Sequence, residues 1–169
     1  MLGLDGAGKT QLLYRLKTKK YMITNPTIGF NVETIYLQHK RPVTVWDVGG
    51  QKRLRFLWIH YLQNTQLVMY IIDSTDRDFA RLQQCRYELH KLLHYQELDN
   101  IPFMILFNKN DLPNAMNDEE IQENFNLSVD LQYIVTTHKI LVIKTTAASN
   151  KSVQDIIKKL KNVIIEQQK

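Results

Sequence analysis

Two uniformly apolar runs constrain this chain more than any other feature. Gln66 to Asp73 carries Leu67-Val68-Met69-Tyr70-Ile71-Ile72, and Pro102 to Phe107 is a second run of the same kind. A strand with one wet face alternates polar and apolar residues, so runs like these belong to strands covered on both faces. Segments with helical spacing surround them. Lys9 to about Lys20 reads as a helix with Leu12, Leu13 and Leu16 on one side. Phe79, Leu82, Leu89, Leu92 and Leu93 share a helix face, and Asp118 to Asn124 is a short helix candidate. Val153, Ile156, Ile157, Leu160, Val163 and Ile164 follow the spacing of an amphipathic helix. Phe30 to Gln38 reads as a strand, His39 to Pro42 as a turn and Val43 to Val48 as its antiparallel return, with Ile140 to Lys144 a further strand. Strands separated by helix-length segments predict an α/β fold with a mostly parallel central sheet and helices on both faces. Ligands in such folds bind in the loops at the carboxyl ends of the strands.

The chain has 169 residues, enough for one domain and too few for two sizeable cores. No linker, repeat or low-complexity segment divides it, so residues 1–169 are read as a single domain. The single cysteine, Cys85, excludes an intrachain disulfide and points to a reducing compartment. No apolar run approaches the ~18 residues of a membrane span. Lys and Arg exceed Asp and Glu, 22 against 17. That excess fits an anionic small molecule, an acidic membrane surface or nucleic acid, and selects none of them.

Four loops carry the chemistry, the last three each after a predicted strand. The first is Gly3-Leu4-Asp5-Gly6-Ala7-Gly8-Lys9-Thr10, followed by Gln11. It matches the phosphate-loop pattern of Gly, four residues, then Gly-Lys-Ser/Thr. Its glycines let backbone N–H groups turn inward, and the following helix N-terminus adds partial positive charge. Lys9 is placed to reach β and γ phosphates, and the Thr10 hydroxyl to ligate Mg²⁺. The second loop is Asp47-Val48-Gly49-Gly50-Gln51. Asp47 at a strand end suits Mg²⁺ held through water, Gly50 can offer its N–H to a γ phosphate, and Gln51 can orient an attacking water.

The third loop is Asn108-Lys109-Asn110-Asp111. The Asp111 carboxylate can accept from both the N1–H and the 2-amino group of guanine, a pair adenine lacks. The stem of Lys109 can cover the base, and Asn108 can tie this loop to the first. The fourth loop is Thr145-Thr146-Ala147-Ala148-Ser149, where the Ala147 N–H can meet guanine O6. Each loop alone has a plain alternative as a surface turn. Four in order predict a Mg²⁺-dependent guanine-nucleotide site.

These stretches resemble the ADP-ribosylation-factor and ARF-like branch of small GTPases. The resemblance runs through GLDGAGKT (Gly3 to Thr10), PTIGFNVET (Pro26 to Thr34), VWDVGGQ (Val45 to Gln51), HYLQNTQ (His60 to Gln66), DSTDR (Asp73 to Arg77), FNKNDLPNAM (Phe107 to Met116) and TAA (Thr146 to Ala148). It implies the Ras-like P-loop fold and a switch cycling between GDP and GTP, with slow hydrolysis and a place in vesicle-mediated or intracellular protein transport. It implies that Thr27 joins Thr10 as a Mg²⁺ ligand in the GTP state and that Thr146 and Ala147 lie at the base. Implied partners are a nucleotide exchange factor, an activating protein supplying an arginine, and effectors that read Phe30, Trp46 and Tyr61. Ordinary core packing explains those aromatics nearly as well. The implied location is cytoplasmic, with peripheral contact at Golgi or other intracellular membranes.

Four departures stand out. Leu2 occupies the position where N-myristoylation requires glycine, and the branch's amphipathic N-terminal helix is absent. The first, central strand is missing apart from Met1 and Leu2, which is expected to leave its neighbours' backbone groups unpaired. About five extra residues fall around Ser128 to Thr137. Ser149-Asn150-Lys151-Ser152 stands where the branch has Ser-Gly-x-Gly, a position where Asn would have to tolerate positive φ. None of these removes a phosphate, Mg²⁺ or water-positioning residue. The missing strand nevertheless admits a second reading, a nucleotide-binding interaction module or truncated pseudo-GTPase that hydrolyses poorly. Nucleic-acid binding is set aside, because Lys17, Lys19, Lys20, Lys158, Lys159 and Lys161 lie at helix ends or faces, where lysines are usually just solvated. The same lysines would suit an acidic lipid surface.

Overall fold

The computed structural model describes residues 1–37, 41–125 and 138–166. The extra residues expected around Ser128 to Thr137, and His39 and Lys40 of the turn expected over His39 to Pro42, lie outside them.

Helix α1 (Lys9–Thr18) follows the first loop. Strands β1 (Phe30–Leu37) and β2 (Arg41–Val48) form a hairpin, and a 3-10 helix (Lys52–Tyr61) leads to β3 (Val68–Asp73). Helix α2 (Phe79–Leu93), a 3-10 turn (Gln96–Leu98), β4 (Phe103–Asn108), α3 (Asp118–Phe125), β5 (Ile140–Lys144) and α4 (Asn150–Glu166) complete the order. Arg41 and Pro42, expected in the turn, open β2 instead.

β3, β4 and β5 pair in parallel, with Val68 opposite Phe103 and Phe103 opposite Ile140. The pleat sends alternate residues to opposite sides. Tyr70, Ile72, Phe103, Ile105 and Phe107 pack with Leu82, Leu89, Leu93 and Phe125 of α2 and α3. Met69, Ile71, Met104 and Leu106 pack with Leu12, Leu13, Leu16, Ile156 and Leu160 of α1 and α4. Helices therefore cover both faces, which is why β3 and β4 are apolar without alternation.

The β1–β2 hairpin is antiparallel, with Phe30 opposite Val48. Met1 and Leu2 join it to the three-stranded sheet. The Leu2 N–H donates to the Met69 carbonyl and the Ile71 N–H to the Leu2 carbonyl, both at 2.8 Å, while the Val48 N–H donates to the Met1 carbonyl at 3.2 Å. The expected loss of pairing is thus limited. The backbone groups nearest the first loop have partners, and farther away β2 and β3 border a groove of about 850 Å³ lined by Thr44, Trp46, Met69 and Leu160. β4 and β5, which carry the third and fourth loops, stay in register with β3, and the bridge between Leu2 and Tyr70 sets the first loop beside them.

Candidate functional site

Register places the first contacts. Asp73 and Asn108 end β3 and β4 as direct neighbours. Beyond them the Lys109 ammonium pairs with Asp73 at 2.5 Å, and Lys109 itself takes a left-handed backbone at φ +64°. Asp73 Oδ1 also accepts from the Thr75 N–H and hydroxyl. The third loop is therefore pinned at its base before any ligand is considered. Asn108 is fully buried. Its carbonyl accepts from the Ser74 N–H and hydroxyl, and its side-chain amide donates to the Ala7 carbonyl at 2.9 Å. The tie from third loop to first loop is present as the sequence predicts.

The first loop runs between Leu2 and α1. Gly3 lies so close to β3 that a Cβ would sit 2.1 Å from the Ile71 carbonyl oxygen, and its φ is +136°. No other residue fits there. α1 begins without a side-chain N-cap. Its first N–H groups are thus available to an anion. Lys9 is buried, and its ammonium donates to the Gly3 and Leu4 carbonyls, both at 2.9 Å. Burial lowers its pKa from the ordinary 10.5 to about 8, with Asp47 and then Asp5 opposing the shift and Arg55 adding to it.

Three oxygen-bearing side chains converge beside Lys9. The Thr10 hydroxyl meets the Thr27 hydroxyl and Asp47 Oδ2, each at 2.6 Å, and Asn31 donates to the same carboxylate oxygen at 3.4 Å. Asp47 is fully buried, and its other oxygen, Oδ1, has no hydrogen-bond partner among the described residues. An orphaned buried carboxylate oxygen is costly unless something polar completes it. Two hydroxyls before one carboxylate suit a hard divalent cation that keeps waters and shares phosphate oxygens. Thr10, Thr27 and Asp47 fit Mg²⁺ on that ground.

The strap after β2 lies directly over the first loop. A Cβ on Gly50 would fall 2.4 Å from the Gly3 oxygen and 2.5 Å from the Asp5 nitrogen, so glycine alone allows this approach. The Trp58 indole N–H donates to the Gly49 carbonyl at 3.0 Å, and Arg55 Nε to the Gly50 carbonyl at 2.7 Å. Gln51 borders the same space, its side-chain Oε1 accepting from Arg53 Nε at 3.2 Å.

These parts enclose a cleft of about 420 Å³, within the range of small-molecule sites. Asp5, Gly6, Gly8, Lys9, Thr10, Gln11, Thr27, Gly50, Gln51, Asn108, Lys109, Asp111, Thr146 and Ala147 line it. Gly3, Leu4, Ala7 and Asp47 stand behind that lining, through the contacts given above. Tyr21, Ile23, Thr24 and Asn25 also line it and are missed by the sequence reading, while Pro26, Leu112 and Ala148 line it from stretches that reading names without giving them a role. The segment from Tyr21 to Asn25 has no period, and its sole signal is its place between α1 and Thr27. Asn150 answers one departure. It is the first residue of α4, accepts from Arg15 Nη2 at 2.5 Å and needs no left-handed backbone.

Phe30, Trp46 and Tyr61 do form a cluster, with ring centroids 5.1 to 6.0 Å apart. Phe30 and Trp46 are exposed, at 45% and 42%, so ordinary core packing does not account for them.

The chain matches the model of the ADP-ribosylation factor family over residues 1–164. Among solved structures it is similar to the Arl6 BBS3 small GTPase of Trypanosoma brucei with the bound nucleotide analogue GppNp. The identity is 27% and the TM-score 0.83, over 99% of this chain and 96% of that one. It also shares its fold with the mammalian SRP receptor, at 22% identity and TM-score 0.80, over 96% of this chain and 97% of that one.

Proposed function

The chain belongs to the ADP-ribosylation factor family of GTP-binding proteins, and from that premise we propose a Mg²⁺-dependent guanine-nucleotide switch that hydrolyses GTP slowly. One observation carries the reading. The Asn108 side chain holds the base-reading loop against the phosphate loop, so that both face one cleft.

In this reading the residues of the cleft divide the tasks of such a switch. The α1 N-terminus and Lys9 bind phosphate oxygens, and the Gly50 N–H is positioned to sense a third phosphate. Thr10 and Thr27 would hold Mg²⁺, with Asp47 behind them. When bound, the ion neutralises charge on the phosphate oxygens during transfer. Asp111 at the rim reads the guanine edge, the Lys109 stem covers the base, and Thr146 and Ala147 close it from the fourth loop. Gln51 orients the attacking water. An activating protein would contribute an arginine, an exchange factor would open the cleft, and effectors would dock on Phe30, Trp46 and Tyr61. Vesicle-mediated or intracellular protein transport is the process this family role suits.

A nucleotide competition assay tests the specificity. GDP and GTP should displace a bound guanine nucleotide at least a hundredfold better than ATP, on the scale of a site that rejects an unmatched donor set. Asp111→Asn should shift preference toward xanthine nucleotides, whose 2-oxo group needs a donor. ATP competing as well as GTP would refute the guanine assignment.

A second reading, an interaction module that binds nucleotide and hydrolyses poorly, is favoured by the engagement of Gln51 with Arg53. Single-turnover hydrolysis by wild type and Gln51→Leu separates the two. A rate unchanged by the substitution would support the module.

A further inference from the structure

Arg55 is a charged residue where the 3-10 helix would ordinarily bury an apolar one. Its side chain is 5% exposed. Each edge of its guanidinium faces a different part of the molecule. Nε donates to the Gly50 carbonyl at 2.7 Å. Nη2 reaches Asp5 Oδ1 of the phosphate loop at 3.4 Å. Nη1 stands 3.7 Å from Glu88 Oε1 on α2 and makes no hydrogen bond among the described residues.

Burying a guanidinium is expensive unless its contacts are specific. Three elements meet on this one: the strap, the phosphate loop and α2. Asp5 is itself fixed from the other side, where Arg81 Nη2 donates to the Asp5 carbonyl at 2.9 Å and Arg81 Nε pairs with Asp76 at 2.8 Å. Asp5 is thus an anchored point, Glu88 is carried on α2, and Gly50 is held against them through its carbonyl.

We propose that Arg55 is the positioning residue that latches Gly50 over the phosphate loop, with Glu88 as its anchor, and that this latch sets the preference for nucleoside triphosphate over diphosphate. The inference rests on the nucleotide reading above. Its chemistry is direct. The Gly50 Cα sits against Gly3 and Asp5 of the phosphate loop, the approach that would bring its N–H to a terminal phosphate. Arg55 holds the Gly50 carbonyl, in the peptide that follows, while the Gly50 N–H belongs to the preceding peptide and is left for the cleft that Gly50 lines. A diphosphate lacks that terminal group and would not draw on the strap.

The test measures affinities of the full chain for GDP and for a non-hydrolysable GTP analogue, with Mg²⁺ present. Arg55→Gln should weaken the analogue roughly tenfold, the scale of one charge-assisted hydrogen bond, while GDP binding stays within about twofold. Arg55→Lys keeps a donor for Gly50 but cannot span to Asp5 and Glu88 together, so its loss should be intermediate. Glu88→Gln leaves Arg55 in place and should give a smaller loss in the same direction. Equal losses for both nucleotides would reduce Arg55 to packing and overturn the proposal, as would no loss for either. A wild-type chain that binds neither nucleotide would overturn the nucleotide reading and this proposal together, an outcome distinct from a variant-specific effect.

Discussion

Asn108 donates its side-chain amide to the Ala7 carbonyl at 2.9 Å, across 101 residues of sequence. Both residues are buried, so each group depends on the other for its hydrogen bond. Asn108→Ala should cost about 1–3 kcal/mol by leaving the Ala7 carbonyl unpaired. Calorimetric melting should show a Tm fall of roughly 2–4 °C per kcal/mol lost. GDP and GTP affinities should drop together, because the bond shapes two loops that both nucleotides share.

Lys9 gives the site a pH dependence of definite sign. In the free protein its pKa lies at about 8, chiefly through burial. The unfolded chain, with an ordinary lysine at 10.5, binds more protons between these values. Stability of the nucleotide-free protein should therefore rise with pH across that window and lack this contribution below about 8. A bound phosphate reverses the local balance by favouring the ammonium. Nucleotide binding should then take up a proton above pH 8, and affinity should fall toward tenfold per pH unit. Isothermal titration in buffers of different ionisation enthalpy reads the proton directly.

Gly50→Ala meets backbone rather than a flexible side chain, with the new Cβ 2.4 Å from the Gly3 oxygen. The strap must lift. Overpacking of this kind costs about 1–3 kcal/mol, and the loss should appear in binding of a GTP analogue while GDP affinity is retained. Paired affinity measurements check it.

Cys85 is buried in the core between β3 and α2, and burial raises its thiol pKa to about 12. A thiol this far from ionisation is inert. Ellman's reagent at pH 8 should react at least roughly a hundredfold more slowly with the folded protein than with the chain in denaturant. As the one cysteine of the sequence, it makes the reaction a clean measure of opening.

What the sequence reveals about this molecule follows physical locality. Gly3 to Thr10 is legible because its chemistry is set by neighbouring residues. β3 and β4 are legible because helices on both faces leave no polar position along them. The 3-10 helix Lys52–Tyr61 has no such signature. Its two buried residues, Arg55 and Trp58, are held by hydrogen bonds to Gly50 and Gly49, and no period announces such bonds. A buried arginine reads on paper as a surface charge. Tyr21 to Asn25 is hidden for another reason. It borders the cleft with exposed side chains such as Ile23, so position rather than composition gives it a role. The joint made by Met1 and Leu2 is also unforeseen, since two residues carry no strand pattern and their value lies in which N–H and C=O groups they complete.

The Lys9 ammonium rests on the carbonyls of its own loop, at Gly3 and Leu4. A phosphate bound there would meet a cation whose position the loop's own backbone already sets, so the placement of that charge is a property of the Gly3 to Thr10 segment itself.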